Sequence, residues 1–188
     1  MTLTRVARVL SLSGLLILTG SVVGAAGAAP ASTASTTNPN ASAISNQVHH
    51  KLSMLPWYGV FDNLQYQVNG TEVTLIGQVI GEHDRTKYDA VNAVKSIPGV
   101  TNVVDNIEIL PLSPFDDRIR RAEFRTIFSQ SDLGRYTEGA IPQVHIIVRN
   151  GHVFLEGVVM NQMDKTVAGI VANSVPGVFS VTNDLHIG

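Results

Sequence analysis

The chain has 188 residues, no cysteine, and 13 basic against 15 acidic residues, a formal net charge of −2. Such a mildly acidic balance argues against general nucleic-acid binding, which rests on neutralising phosphates. The lack of cysteine excludes disulfides, thiolate metal sites and lipid attachment through an N-terminal cysteine.

The opening carries Arg5 and Arg8, then the apolar run from Val9 to Val23, then Ala25-Ala26-Gly27-Ala28-Ala29. Basic, apolar and small regions in that order predict a secretory signal peptide over residues 1–29, cleaved near Ala28 or Ala29. The run is broken by Ser11, Ser13, Gly14, Thr19 and Gly20 and falls short of the ~20 apolar residues a spanning helix needs. No transmembrane span is expected in the exported chain, which keeps 11 basic against 15 acidic residues. Residues 30–42 have no charge, no large apolar side chain and no periodicity, and read as a flexible tether.

Two similar stretches follow, residues 43–111 and 114–188. The segment from Val73 to Val104 returns as Val153 to Thr182, punctuated in both copies by Gly77 or Gly157 and by Pro98-Gly99-Val100 or Pro176-Gly177-Val178. A long repeat found only twice predicts two homologous modules and argues against a solenoid. In the first, Ile44, Val48, Leu52 and Leu55 recur at helical spacing before Pro56. Leu64, Tyr66 and Val68 alternate with Gln65 and Gln67 as a half-buried strand, and Val73 and Leu75 do so on the next. Gly70-Thr71 fits a type II′ hairpin turn and Asn150-Gly151 a type I′ turn. Counting outward from these turns pairs Val68 with Val73, Tyr66 with Leu75, Val148 with Val153 and Ile146 with Leu155 on the core face.

Asp84 and Asp164 stand where helix N-caps are wanted, ahead of the inner stripes Ala90, Val94, Ile97 and Ala168, Val171, Val175. Proline then ends each helix, and Gly99 or Gly177 permits the tight return to a closing strand. That strand carries Val100, Val103 and Ile107, or Val178, Val181 and Leu185. The predicted architecture is α+β: two tandem αββαβ sandwich modules, each with two helices on one face of a three-stranded mixed sheet. Both modules are small for independent stability, so they are expected to pack together.

The strings Val73-Thr74-Leu75-Ile76-Gly77 and Gly99-Val100-Thr101-Asn102-Val103-Val104-Asp105-Asn106-Ile107, with their second copies Val153-Phe154-Leu155-Glu156-Gly157 and Gly177-Val178-Phe179-Ser180-Val181-Thr182-Asn183-Asp184-Leu185, resemble the BON domain family. The resemblance covers nearly all of the exported chain. It implies αββαβ sandwiches, placement in the bacterial envelope, hence the periplasm, and an association with phospholipid binding and protection against osmotic stress.

Two surfaces are candidates for membrane contact. Trp57 and Tyr58 follow Pro56 in a loop, and amphipathic rings favour the headgroup level; the plainer reading is that Trp57 caps the small core. Arg118, Arg121 and Arg125 share one face of a helix from about Pro114 to Gln130 and could hold lipid phosphates. The plainer reading there is a solvated face balanced by Asp116, Asp117 and Glu123.

On that helix Phe115, Ile119 and Ala122 form one apolar stripe and Phe124, Ile127 and Phe128 another. The second stripe predicts an interface with the other module or a second chain. Phe124 and Phe128, with Ile147 and Phe154 on the outer face of the second hairpin, are the candidate protein-contact residues. His145 opposite Glu156, and Arg149 opposite His152, are expected as exposed cross-strand pairs. His49-His50 diverge around a helix, and no metal-ligand spacing, nucleophile motif or phosphate loop is present. No enzyme activity, metal or cofactor is expected.

These readings point to a non-catalytic envelope protein contacting phospholipid surfaces or envelope proteins. The alternative is a structural adaptor that makes protein contacts without lipid. The sequence leaves oligomeric state and the role of the connection from Leu133 to Pro142 open.

Overall fold

In a computed structural model, residues 39–81, 85–139 and 141–188 are described. The expected signal peptide, most of the tether and the Asp84 cap lie outside them. Each module is organised around its hairpin. Strand β1 (Asn63–Asn69) pairs antiparallel with β2 (Glu72–Ile80), and β4 (Val144–Arg149) with β5 (His152–Val159). Gly70 has φ 64°, as type II′ requires, and Asn150 and Gly151 have φ 52° and 78°, as type I′ requires. The registers follow from those turns: Val68 meets Val73, Tyr66 meets Leu75, Val148 meets Val153 and Ile146 meets Leu155.

Helix α1 (Pro39–Ser53) precedes the first hairpin, so residues 39–42, read as tether, form its first turn. Helix α2 (Arg85–Lys95) and strand β3 (Asn102–Leu110) follow, with β3 parallel to β2 in the order β1-β2-β3. The second module repeats this with α3 (Pro114–Phe128), β4, β5, α4 (Gln162–Asn173) and β6 (Ser180–Asn183), β6 lying parallel to β5. A short strand β7 (His186–Ile187) also pairs with β5, so the closing strand, continuous in the first module, is broken at Asp184-Leu185 in the second. Residues 36–188 form one compact unit with two cores. Ile44, Val48, Leu52, Val73, Leu75, Ala90, Val94 and Ile97 build the first, and Ile119, Ile127, Ile146, Val153, Leu155 and Ala168 the second.

Gly77 and Gly157 do the same work in each hairpin. Their φ values are 133° and 118°, and a Cβ would stand 2.0 Å from the Asn63 carbonyl oxygen or 2.1 Å from that of Gln143. Only glycine lets the two strands close there. Gly99 and Gly177, with φ 93° and 95°, make the return into β3 and β6.

One predicted cap is corrected. The N-cap of α4 is Asn161, whose side chain accepts from the Asp164 N–H. Asp164 sits within the first turn, buried, bonded by the Tyr136 hydroxyl and the Arg135 guanidinium. Those bonds, first the one from Tyr136, hold its carboxyl below the usual carboxylate range. Arg135 and Tyr136 belong to a one-turn 3-10 helix, Gly134–Thr137. The Leu133 to Pro142 connection therefore anchors the start of α4.

Candidate functional site

The loop after α1 decides how the modules meet. Asp62 is buried and accepts the Gly59 N–H at 3.0 Å and the Ile80 N–H at 2.8 Å, fixing the loop against the end of β2. Burial raises its pKa, while the backbone bonds and Arg120 draw it down. Held this way, the loop covers the open edge of β4: the Ile146 N–H donates to the Val60 carbonyl at 2.8 Å, and Val60 and Phe61 pack on the second core. Tyr58 turns inward, its ring 5.4 Å from that of His145 and its hydroxyl accepting the Leu64 N–H. Burial pushes the Tyr58 phenol up to about 12 and the His145 imidazole down.

The helix-free faces of the two sheets also meet. Gln78 and Leu110 line a small hollow of about 60 Å³ with Ile147, Arg149, Phe154 and Glu156. Arg149 pairs with Glu108 at 2.9 Å. The expected pairing of His145 with Glu156 and Arg149 with His152 is correct in register but not in setting. His145 is buried beneath the first module, and His152 bonds Ser180 at 2.7 Å. Ile147 is 2% exposed, so its contact surface lies within the chain, and Phe154 is half-buried beside it.

Helix α3 differs most from expectation. Asp116, Arg120, Glu123 and Ile127, at helical spacing, are buried together with Ile119 of the expected inner stripe, on whose core Phe115 packs. The Asp116 carboxylate caps the second hairpin turn, accepting the Asn150 and Gly151 N–H groups at 2.9 and 2.8 Å. Arg120 donates to Asp117 at 2.5 Å and to the Val148 carbonyl at 2.7 Å. Glu123 has no hydrogen-bond partner among the described residues, and burial pushes its pKa up to about 8. Two of the three acids expected to balance a solvated face are thus internal. The arginines expected on that face are indeed outside: Arg118, Arg121 and Arg125 are exposed, and none pairs with a carboxylate among the described residues.

Arg118 stands over the Phe115 ring, 5.7 Å from its centroid, while around Arg121 and Arg125 the two modules build one surface. Phe61, Phe124, Arg121 and Arg125 line an open hollow of about 370 Å³. Phe61 also borders a second hollow, about 480 Å³, with Trp57, Asp62, Ile80, Arg85 and Thr86. Phe61 stands edge-on to Phe124 at 6.2 Å, and Phe124 to Phe128 at 5.1 Å. Trp57 is 60% exposed and belongs to neither core, so it does not act as a core cap. Tyr58, adjacent in sequence, faces the module seam and does not share this surface. Phe128 packs on the second core, which leaves Phe124, 38% exposed, as the outward ring of its stripe. Phe61 and Arg85 were missed by sequence reasoning; Phe61 stands one turn of chain beyond Trp57-Tyr58 and carries no periodic signal of its own.

Among the described residues no helix is long and apolar enough to cross a membrane, and no group of three His, Asp or Glu side chains could hold a metal ion. Two solved structures show a distant likeness. The C-terminal domain of CdsD, the structural protein of the type III secretion system of Chlamydia trachomatis, is 15% identical over 76% of this chain and 96% of that one, with a TM-score of 0.30. A second CdsD structure from the same system is 14% identical over 78% of this chain and 93% of that one, with a TM-score of 0.28. Likenesses this remote say nothing of what this chain does. No curated protein matches it. The BON domain matches twice, over residues 40–111 and 116–188, in step with the two modules. The chain belongs to the BON domain family.

Proposed function

We propose that this is a non-catalytic protein of the bacterial envelope, exported to the periplasm by the leader read in residues 1–29. Its tandem BON modules bind phospholipid membranes or membrane-associated partners and support envelope integrity under osmotic stress. The observation that carries this reading is the surface shared by both modules, where Trp57, Phe61 and Phe124 lie among Arg85, Arg121 and Arg125. Guanidinium groups with no carboxylate partner among the described residues can hold lipid phosphates in pairs of hydrogen bonds, and aromatic rings beside them suit the headgroup level. The adaptor reading loses ground because Ile147 and Phe128, two of its four contact residues, are taken up inside the chain.

The test is co-sedimentation of residues 36–188, which hold both cores, with neutral and anionic liposomes at low and high salt. Each arginine near an anionic surface contributes about 1 kcal/mol. The Arg118→Ala, Arg121→Ala, Arg125→Ala triple variant is therefore expected to bind anionic vesicles on the order of 100-fold more weakly while keeping its fold. Binding that ignores lipid charge, salt and the triple substitution refutes the reading.

A further inference from the structure

The two modules treat equivalent strand edges differently. Both β1 and β4 are edge strands, and the hairpin registers point the backbone of Leu64, Tyr66 and Val68, or of Val144, Ile146 and Val148, outward. In the second module that edge is covered: the Ile146 N–H reaches Val60 and the Val148 carbonyl accepts from Arg120. In the first, the Leu64 N–H has only the long 3.3 Å bond to the Tyr58 hydroxyl, and the backbone groups of Tyr66 and Val68 on that side have no partner among the described residues. The edge is also unguarded. Natural edge strands are protected by charge, proline or a bulge, and β1 reads Asn-Leu-Gln-Tyr-Gln-Val-Asn with a regular register and none of these. The opposite edge, β3, carries Asp105 and Glu108. Beside Asn63, Leu64, Gln65 and Tyr66 runs an open groove of about 680 Å³, walled on its far side by second-module residues that include Ile141, Gln143, His145 and Val158.

The strand itself indicates the occupant. About Tyr66 the order of residue character is the same in both directions: Gln65 and Gln67 are identical, Leu64 and Val68 are both aliphatic, and Asn63 and Asn69 are identical. We propose that β1 pairs antiparallel with β1 of a second copy of this chain, on a two-fold axis at Tyr66, joining the first-module sheets of two protomers into one. In that register Tyr66 meets Tyr66 of the second copy through reciprocal N–H to carbonyl bonds. Leu64 meets Val68 by the same pattern, apolar side chains stand opposite apolar ones, and amides opposite amides. A self-complementary edge is what an isologous two-fold interface requires. The strand itself carries no charged side chain to repel its counterpart. The inference does not depend on lipid binding.

The test is sedimentation velocity on residues 36–188, wild type beside two variants at exposed positions of β1. Gln65 and Gln67 point their backbone groups at β2, so side-chain changes there leave the internal ladder intact. In Gln65→Lys with Gln67→Lys, each lysine faces another across the axis, and the sedimenting mass is expected to fall from dimer to monomer with an unchanged circular dichroism spectrum. In Gln65→Lys with Gln67→Glu, each lysine faces a glutamate, and the dimer is expected to return. A wild type that stays monomeric at every loading concentration, or a dilysine variant that dimerises like wild type, overturns the proposal. A Lys/Glu variant that stays monomeric overturns the register at Tyr66.

Discussion

Glu123 stands in α3 where a core residue belongs. Helices α1 and α3 have the same length and both begin with proline; aligned on that start, Ile119 and Ile127 match the buried Ile44 and Leu52, and Glu123 matches Val48, which is fully buried. With no bonding partner for either carboxylate oxygen among the described residues, burial raises the Glu123 pKa from 4.5 to about 8. The folded chain therefore retains a proton that the unfolded chain has released. A raised folded pKa contributes stability that is fully present below 4.5 and is lost as pH rises through about 8. At ~1.4 kcal/mol per pH unit, the loss accumulated between 4.5 and 7 is roughly 3 kcal/mol. Glutamine has nearly the size of the protonated acid and nothing to ionise. Glu123→Gln is expected to be more stable than wild type by about 3 kcal/mol at pH 7 and by less than ~1 kcal/mol at pH 5. The assay is urea unfolding followed by circular dichroism at both pH values. His145, whose lowered pKa gives a slope of the opposite sign below 6.5, is common to both proteins and cancels in the difference. A variant-minus-wild-type difference that does not change with pH refutes the argument.

Gly157→Ala and Gly77→Ala place a methyl against a backbone carbonyl at a positive φ and are each expected to cost about 3 kcal/mol or more. Gly70→Ala, at φ 64° but with open space around it, is expected to cost only ~1 kcal/mol by the same denaturant titration. Asp164→Ala removes the acceptor of the buried Tyr136 hydroxyl and the tie to Arg135, and is expected to cost about 2 kcal/mol at neutral pH. Because the folded pKa of Asp164 is lowered, its contribution is present above 3.8 and disappears as pH falls further, so the gap between variant and wild type should close in acid.

The elements of this chain are determined locally, and for that reason they are legible in its residues. A two-residue turn imposes strand pairing by geometry alone, so Gly70-Thr71 and Asn150-Gly151 set every cross-strand partner as far as Asn63 and Val144. The stripe Ile44, Val48, Leu52 and the stripe Ala90, Val94, Ile97 need only helical spacing to be assigned to a core. Whether a side chain is wet or dry depends on what lies across from it, and the docking of one module on the other has no periodic signal. That docking buries His145, half-buries Tyr58, takes up Ile147, and leaves Trp57 and Phe124 outside. Charge misleads most where tertiary contacts supply an unexpected partner or a dry setting: Asp116 finds a turn to cap, Arg120 a strand carbonyl, and Glu123 a core position, while the arginines beside them stay in water. The sequence by itself determined two BON modules, their hairpin registers and their cores, because these follow from spacing and turn chemistry. Only the tertiary structure decided which edge is covered, which charges are internal and which residues form the shared surface, because these depend on atoms brought together from distant parts of the chain.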